Sequence, residues 1–159
     1  MSSTARQLET IAELLRQEST LALATIDDQG EPCIAPLFYL ADQALSLFWL
    51  SSPSSRHSLN LARTPRAAAT VYRHAEQWRA ICGVQMRGAV TVIDEPSRRK
   101  ALIRQYCERF QLGTVFHLAI GRSGLYEFRP DFFRYLDNSK RLGYRFEVSL
   151  GANSPGQSA

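Results

Sequence analysis

A chain of 159 residues with 45% hydrophobic and 21% charged residues has the composition of a folded globular domain, which excludes a disordered or fibrous protein. Its net charge of +4 comes from basic residues that are scattered along the chain, so we expect no nucleic-acid binding. No apolar stretch approaches the roughly 20 residues of a membrane span, and the first positions lack the apolar core of a secretory signal, so we expect a cytoplasmic protein without membrane association.

The first half of the chain predicts one helix followed by a β-meander. Residues 4–17 carry apolar side chains at spacings of three and four, which is typical of an amphipathic helix. Apolar sequence then runs over residues 20–26 and 33–40, with a turn at 27–30 between them. A third strand over 44–50 is apolar on both faces, and both faces need cover. This favours a closed barrel with a further element packed outside it.

The second half of the chain alternates between strands and helices. The predicted elements are a short helix over 53–63, strands over 67–72 and 78–93 with a polar turn at 73–77, a helix over 94–113, a second helical stretch over 114–120, and extended segments over 124–136 and 144–150. We therefore predict one mainly β domain with helices, of the α+β class, over residues 1–150. The Gly/Ser/Asn-rich segment 151–159 is predicted to be a disordered tail.

The junction between the third strand and the second helix has the residues of an anion site. A helix that starts near Pro53 leaves unpaired backbone N–H groups at its first turn, and these groups favour an anion. Ser54 and Ser55 add hydroxyl donors, and Arg56 adds a planar guanidinium that suits phosphate. The same serines also suit a helix cap, with Arg56 as an ordinary surface side chain. Both interpretations stay open at this point.

Other catalytic constellations are not found in the sequence. His57, His74 and His117 are widely separated, and three scattered cysteines form neither a disulfide framework nor a paired thiol motif. No carboxylate cluster at ligand spacing, nucleophile elbow or Walker loop is present, so we expect no metal site. If the protein is an enzyme, its reactive group has to come from a cofactor.

The order of these elements resembles a known family. The segment Phe-Trp-Leu-Ser-Ser-Pro-Ser-Ser-Arg-His at residues 48–57, followed by Asn60 and Pro65, is similar to the FMN-binding split-barrel superfamily that includes pyridoxamine 5'-phosphate oxidase. The similarity spans roughly residues 8–148 and looks most like a small branch of that superfamily. It implies a six- to seven-stranded antiparallel split β-barrel. It also implies a homodimer with FMN at the subunit interface, contacted by both chains.

The resemblance also implies which residues bind the cofactor. Ser55 and Arg56 match the first two residues of a Ser-Arg-Lys group that holds the FMN phosphate, whereas His57 replaces the lysine. A histidine of ordinary pKa is mostly neutral at pH 7, so this replacement weakens the phosphate contact. Leu50, Ser51 and Ser52 fall where the family places donors beside the flavin ring and the ribityl chain.

Two further regions complete the site that the resemblance implies. Gln85 aligns, with an offset of two residues, with a glutamine placed against the flavin, although it also suits a barrel rim facing solvent. Asn138 follows an extended run and corresponds to a segment that approaches the neighbouring subunit's flavin, and Lys140 is within reach of a phosphate or substrate anion there. A capped turn is the alternative for these two residues.

The leading hypothesis is an FMN-dependent oxidoreductase that acts on a small molecule. The Arg-x-His signature of the pyridoxamine phosphate oxidases is missing from the C-terminal segment, so we do not expect that reaction. Two alternatives stay open: a flavin-binding sensor or carrier without turnover, and a split barrel that binds haem or a deazaflavin instead of FMN.

Overall fold

The structure, a computed structural model that describes residues 2–113 and 117–151, contains one antiparallel sheet and four α-helices in those residues. The helices are α1 (Ser3–Gln17), α2 (Arg56–Arg63), α3 (Pro96–Phe110) and α4 (His117–Arg122). The strands are β1 (Thr20–Ile26), β2 (Pro32–Phe38), β3 (Leu40–Ala41), β4 (Leu47–Ser51), β5 (Arg66–Tyr72), β6 (Cys82–Val92), β7 (Gly124–Asp137) and β8 (Arg145–Ser149). The predicted class, mainly antiparallel β with helices, is confirmed.

The strands follow the order β2-β1-β5-β6-β7-β4-β3, and β8 pairs with β7 beside this path. The sheet divides at β7, whose first part pairs with β4 and whose last part pairs with β8. Curvature of the sheet brings β2 near β4, so the structure is a partly closed barrel. None of the four helices is long and apolar enough to cross a membrane.

Three predicted boundaries were wrong, each for a local reason. The strand predicted over 33–40 is divided at Tyr39, whose N–H donates to the carbonyl of Ser19, and the described residues hold eight strands when the two-residue β3 is counted. β4 begins at Leu47 instead of residue 44, because Leu45 has a φ of 65° in the preceding turn. The strand predicted over 78–93 begins at Cys82, because residues 78–80 form a 3₁₀ turn.

The helix predicted over 53–63 also starts later than expected. α2 begins at Arg56 because Ser55 is its N-cap residue, with extended backbone and a side chain that accepts from the N–H of Ser58. Within the helix predicted over 114–120, residues 114–116 lie outside the described residues, as do residues 152–159 of the predicted tail.

The long pairing of β6 with β7 depends on one glycine. The register shifts between Arg87 and Gly88, where the two strands form a bulge. A Cβ atom at Gly88 would lie 2.1 Å from the carbonyl oxygen of Arg129, which is far closer than any side chain permits. Gly88 therefore allows the two backbones to approach at this point.

Both faces of β4 are covered, as its sequence predicted. Leu47 and Trp49 point into the barrel core, together with the apolar stripe of α1. Phe48 packs on the opposite side, in a second cluster that includes Tyr106 of α3. The element outside the barrel is thus α3, and its burial of aromatic and aliphatic side chains contributes to the stability of the fold.

A buried carboxylate fixes α3 to the sheet. Glu127 of β7 is 3% exposed at its side chain and accepts from Arg98 at 2.8 and 3.2 Å and from Arg129 at 2.8 Å. Burial alone would raise the pKa of the Glu127 carboxyl, but the hydrogen bonds from the two arginines outweigh it and hold the pKa below its usual range. The carboxylate is therefore ionised and fully paired at neutral pH.

Candidate functional site

The end of β4 and the start of α2 bring three polar side chains into mutual contact. The Oγ atom of Ser51 lies 2.6 Å from Nε2 of His57 and 3.3 Å from Oγ of Ser55. The Ser55 hydroxyl lies 3.1 Å from the same His57 nitrogen and 2.8 Å from the hydroxyl of Ser58. We call Ser51, Ser55 and His57 the hydroxyl–imidazole cluster.

Burial lowers the pKa of His57, so its imidazole is neutral at pH 7. A neutral imidazole carries one ring proton, so Nε2 accepts from the Ser51 hydroxyl in one tautomer and donates to it in the other. In this state the cluster carries no net charge. A phosphate at this position would be held by neutral donors of the cluster and by the N–H groups at the start of α2.

Arg56, the first residue of α2, faces the turn between β1 and β2. Its Nη1 atom lies 3.6 Å from Oδ2 of Asp27, and its side chain is 74% exposed. With Asp28, Ser54 and Arg63 these residues line a surface cavity of about 480 Å³, which Ser51, Ser55 and His57 do not line. Arg56 therefore lies beside the hydroxyl–imidazole cluster in the chain but is turned towards a different side of α2.

Asp27 is held firmly by its own turn. Its Oδ1 atom accepts from the backbone N–H groups of Gln29 and Glu31, each at 2.9 Å. These backbone hydrogen bonds are the main cause of the lowered pKa of Asp27, with Arg56 contributing less. The carboxylate that faces Arg56 is consequently ionised throughout the neutral range. Sequence analysis missed this residue as a member of the site; its only sequence feature was the Asp-Asp-Gln-Gly turn.

A buried hydrogen bond fixes α2 against β1. The side-chain amide of Asn60 donates to the hydroxyl of Thr25 at 3.0 Å, and both residues are buried. Leu61 adds apolar contact with the barrel core. These contacts position the first turn of α2 beside the β1–β2 turn, and they explain why Asp27 meets Arg56.

Two other predicted ligands at the junction have separate surroundings. The side chain of Leu50 packs against the apolar residues beneath α3, which include Phe48 and Tyr106. Only the backbone of Leu50 is therefore available to a ligand. The Ser52 hydroxyl lies 2.8 Å from that of Ser54, and both residues are exposed. Ser52 is thus accessible but lies outside the hydroxyl–imidazole cluster.

Gln85 lies on the outer face of the sheet, where its side chain is exposed. It lines a shallow groove of about 250 Å³ whose floor is made of small side chains on β1 and β5, including Ala22, Ala24 and Ala68. Ile34 of β2 stands at the edge of this groove and is 74% exposed. The groove follows β1, and the β1–β2 turn with Asp27 lies beyond the end of that strand.

Asn138 and Lys140 are not near the hydroxyl–imidazole cluster within one chain. Ser51 pairs with Gly124 at the start of β7, whereas Asn138 follows the last residue of that strand. The intervening 14 residues of β7 correspond to roughly 40 Å of extended chain. A site that contains all of these residues would need them from two subunits.

The side chain of Asn138 is engaged inside its own subunit. Its Nδ2 atom donates to the carbonyl of Trp78 at 2.9 Å, and its Oδ1 atom accepts from the N–H of Gly143 at 3.0 Å. The residue thereby joins the 3₁₀ turn to the β7–β8 hairpin. Lys140 is exposed on that hairpin, with Nζ 4.9 Å from the centre of the Tyr144 ring.

Comparison with known proteins identifies the class to which this fold and junction belong. The family model described as Pyridoxamine 5'-phosphate oxidase matches residues 8–136, and the chain belongs to this family. The split-barrel fold implied by the sequence is therefore confirmed.

Individual relatives and solved structures have low sequence identity with this chain, between 17% and 25% for the three described next. A UPF0306 protein, YpAngola_A4021 of Yersinia pestis bv. Antiqua (strain Angola), is 25% identical over 119 residues, which cover 75% of this chain and 80% of the relative. The crystal structure of HutZ, the haem storage protein from Vibrio cholerae, aligns with a TM-score of 0.65 and 25% identity over 77% of this chain and 88% of the other. An FAD-binding protein from Mesorhizobium loti has the same fold, with a TM-score of 0.62 and 17% identity over 94% and 96% of the two chains.

Proposed function

We propose that this protein binds FMN as a homodimer in the cytoplasm and acts as a flavin-dependent oxidoreductase on a small molecule. The observation that carries the proposal is the strand-to-helix junction, where the hydroxyl–imidazole cluster and Arg56 surround the first turn of α2 in a member of the pyridoxamine 5'-phosphate oxidase family. Three free thiols, with no disulfide among the described residues, suit a reducing compartment.

The residues at this junction fit the phosphate end of a flavin. The Ser51 and Ser55 hydroxyls are paired with His57 and Ser58 and would exchange these hydrogen bonds for a phosphate, whereas the start of α2 offers backbone N–H groups. The Arg56 guanidinium is exposed and only loosely paired, so it can turn towards an anion at little cost. When bound, a flavin supplies hydride or single-electron transfer. The protein's part is to hold the phosphate and to orient the ring.

The outer sheet face supports the homodimer. The groove over Ala22, Ala24 and Ala68 is shallow and apolar, and Ile34 on β2 is exposed at its edge. An exposed apolar surface of this kind favours a protein contact, and two copies of one chain form such contacts symmetrically. A second subunit would also bring Asn138 and Lys140 towards the junction, which they do not approach within one chain.

Haem binding is the second candidate, and its support is the 25% identity with HutZ. An axial haem ligand needs an imidazole nitrogen with a free lone pair. Nε2 of His57 is instead 2.6 Å from the Ser51 hydroxyl, and His74 is an exposed residue on the surface. The hydrogen bond to Ser51 therefore argues against His57 as a haem ligand, and the side chain of His117 lies outside the described residues.

An absorption spectrum of the purified protein, followed by separate titrations with FMN and haem, tests the proposal. We expect FMN to bind with quenched fluorescence, and light scattering to give the mass of a dimer. Reduction of the bound flavin by a nicotinamide cofactor and its reoxidation by an acceptor would support an oxidoreductase over a carrier. Protein that binds no FMN but develops a Soret band with haem would contradict the proposal.

A further inference from the structure

The cavity beside Arg56 contains as many carboxylates as guanidinium groups. Arg56 lies 3.6 Å from Asp27, and Arg63, two turns further along α2, lies 3.8 Å from Asp28. All four side chains line the same 480 Å³ cavity. The local charge is therefore balanced, although a site for a phosphate dianion would ordinarily have a positive excess.

We propose that Asp27 is a specificity-determining residue that competes with the flavin phosphate for Arg56, and so reduces the preference of the site for FMN over riboflavin. The proposal rests on the proposed function, since it concerns the same phosphate site. It goes further by assigning an opposing role to a residue of the β1–β2 turn.

The contact geometry distinguishes a competitor from an orienting partner. A carboxylate that orients an arginine makes paired hydrogen bonds to it, as Glu127 does with Arg98 at 2.8 and 3.2 Å. Asp27 instead has one contact at 3.6 Å with a guanidinium that is largely in solvent. Such a contact does not restrict the rotamers of Arg56. It does keep a negative charge beside the guanidinium that would pair with the phosphate.

Asp27 also cannot move away when a phosphate arrives. Its other oxygen accepts the N–H groups of Gln29 and Glu31, and the side chain is only 13% exposed. The carboxylate therefore stays near Arg56 and competes with a bound dianion for its guanidinium. This competition concerns the phosphate and not the flavin ring, so it changes the affinity for FMN without changing that for riboflavin.

The Asp27→Asn variant tests the proposal. Asparagine keeps the Oδ1 acceptor that the turn requires, while it removes the charge that faces Arg56. We expect the Kd for FMN to fall about three- to tenfold and the Kd for riboflavin to change by less than about twofold. The matched control is Asp28→Asn, which changes the net charge equally in the same turn but removes the carboxylate that faces Arg63.

The outcomes separate this inference from the proposed function. If neither the natural chain nor Asp27→Asn binds FMN, the proposed function fails. If the natural chain binds FMN but Asp27→Asn binds it equally or more weakly, the competition is overturned, and weaker binding would make Asp27 an orienting residue. An equal gain in Asp28→Asn would also overturn the assignment to Asp27, because general charge would then explain the effect. Thermal unfolding of each variant checks that the turn is intact.

Discussion

The arginine at the start of α2 and the arginine in the first turn of α3 each face a carboxylate, yet the two pairs differ in distance and in burial. Arg98 is 42% exposed and makes two hydrogen bonds with a carboxylate that is 3% exposed, whereas Arg56 is 74% exposed and makes one 3.6 Å contact with a carboxylate that is 13% exposed. The first pair has all its partners within the chain. The second retains donors that are free for a ligand. An arginine that is well paired with a buried carboxylate is expected to contribute more to stability than an exposed, loosely paired one. We therefore regard Arg98 as a residue of the fold and Arg56 as a residue of the candidate site.

The largest effect on stability is expected at α3. Arg98→Met removes two of the three hydrogen bonds to Glu127 and the contact of the guanidinium with the Phe48 ring. We expect the free energy of unfolding to fall by about 2–3 kcal/mol, since the buried carboxylate keeps only Arg129. Urea denaturation measures this loss, and the Kd for FMN should not change. Arg104→Met, an exposed position on the same helix, is the control; an equal loss there would contradict the role of Glu127.

At α2 we expect a loss of FMN affinity with no loss of stability. Arg56→Ala should weaken FMN binding roughly ten- to a hundredfold, because a charge-assisted hydrogen bond contributes about 1.5–3 kcal/mol. The unfolding midpoint in urea should stay within error, since the Arg56–Asp27 contact is long and exposed. Titration of both proteins with FMN checks the first expectation. An unchanged Kd would remove Arg56 from the site.

A pH series examines the hydroxyl–imidazole cluster. Burial places the pKa of His57 in the folded state below its value in the unfolded chain, which is near 6.5. The unfolded chain therefore binds the proton more readily, and the stability that His57 contributes is present above about pH 6.5 and is lost as the pH falls through the folded pKa. Melting curves of the natural chain and of His57→Gln should converge in acid. Melting temperatures that differ by the same amount from pH 8 to pH 5 would contradict a lowered pKa of His57. His74→Gln, which removes an exposed imidazole, is the control.

The smallest effect is expected at a pair that is short but exposed. Arg66 and Asp131 lie 2.6 Å apart, with side chains 56% and 39% exposed. Asp131→Asn should cost less than about 1 kcal/mol, because solvent screens the pair and both side chains lose rotamer freedom in making it. A loss as large as that of Arg98→Met would mean that distance, and not burial, decides the contribution of these ion pairs.

The sequence predicted most of the fold because the fold depends on local patterns. Apolar runs bounded by turns located β1, β4 and β5, and two apolar faces on the β4 sequence predicted both the barrel core and the helix outside it. The errors fall where hydrogen bonds of single residues override the pattern. Tyr39 interrupts a strand, and the turn at Trp78 delays β6, although both are aromatic residues of a type that is common in strands.

The candidate site was predicted only where it is continuous in the chain. Ser51, Ser55 and His57 meet because a strand and a helix follow each other directly, and the spacing of these residues contained that information. Asp27 is a site neighbour through the docking of α2 on β1, which depends on the buried contact of Asn60 with Thr25. No local sequence pattern predicts such a tertiary contact. Likewise, the internal hydrogen bonds of Asn138 follow from tertiary structure alone.

The bulge at Gly88 has a consequence for how the barrel excludes misfolded alternatives. If β6 slipped by one residue along β7, Arg87 or Ala89 would stand against the carbonyl of Arg129, where a Cβ atom at position 88 would already lie at 2.1 Å. A slip of one residue also turns every core side chain of a strand towards solvent. The missing side chain at position 88 thus disfavours shifted pairings of β6 with β7.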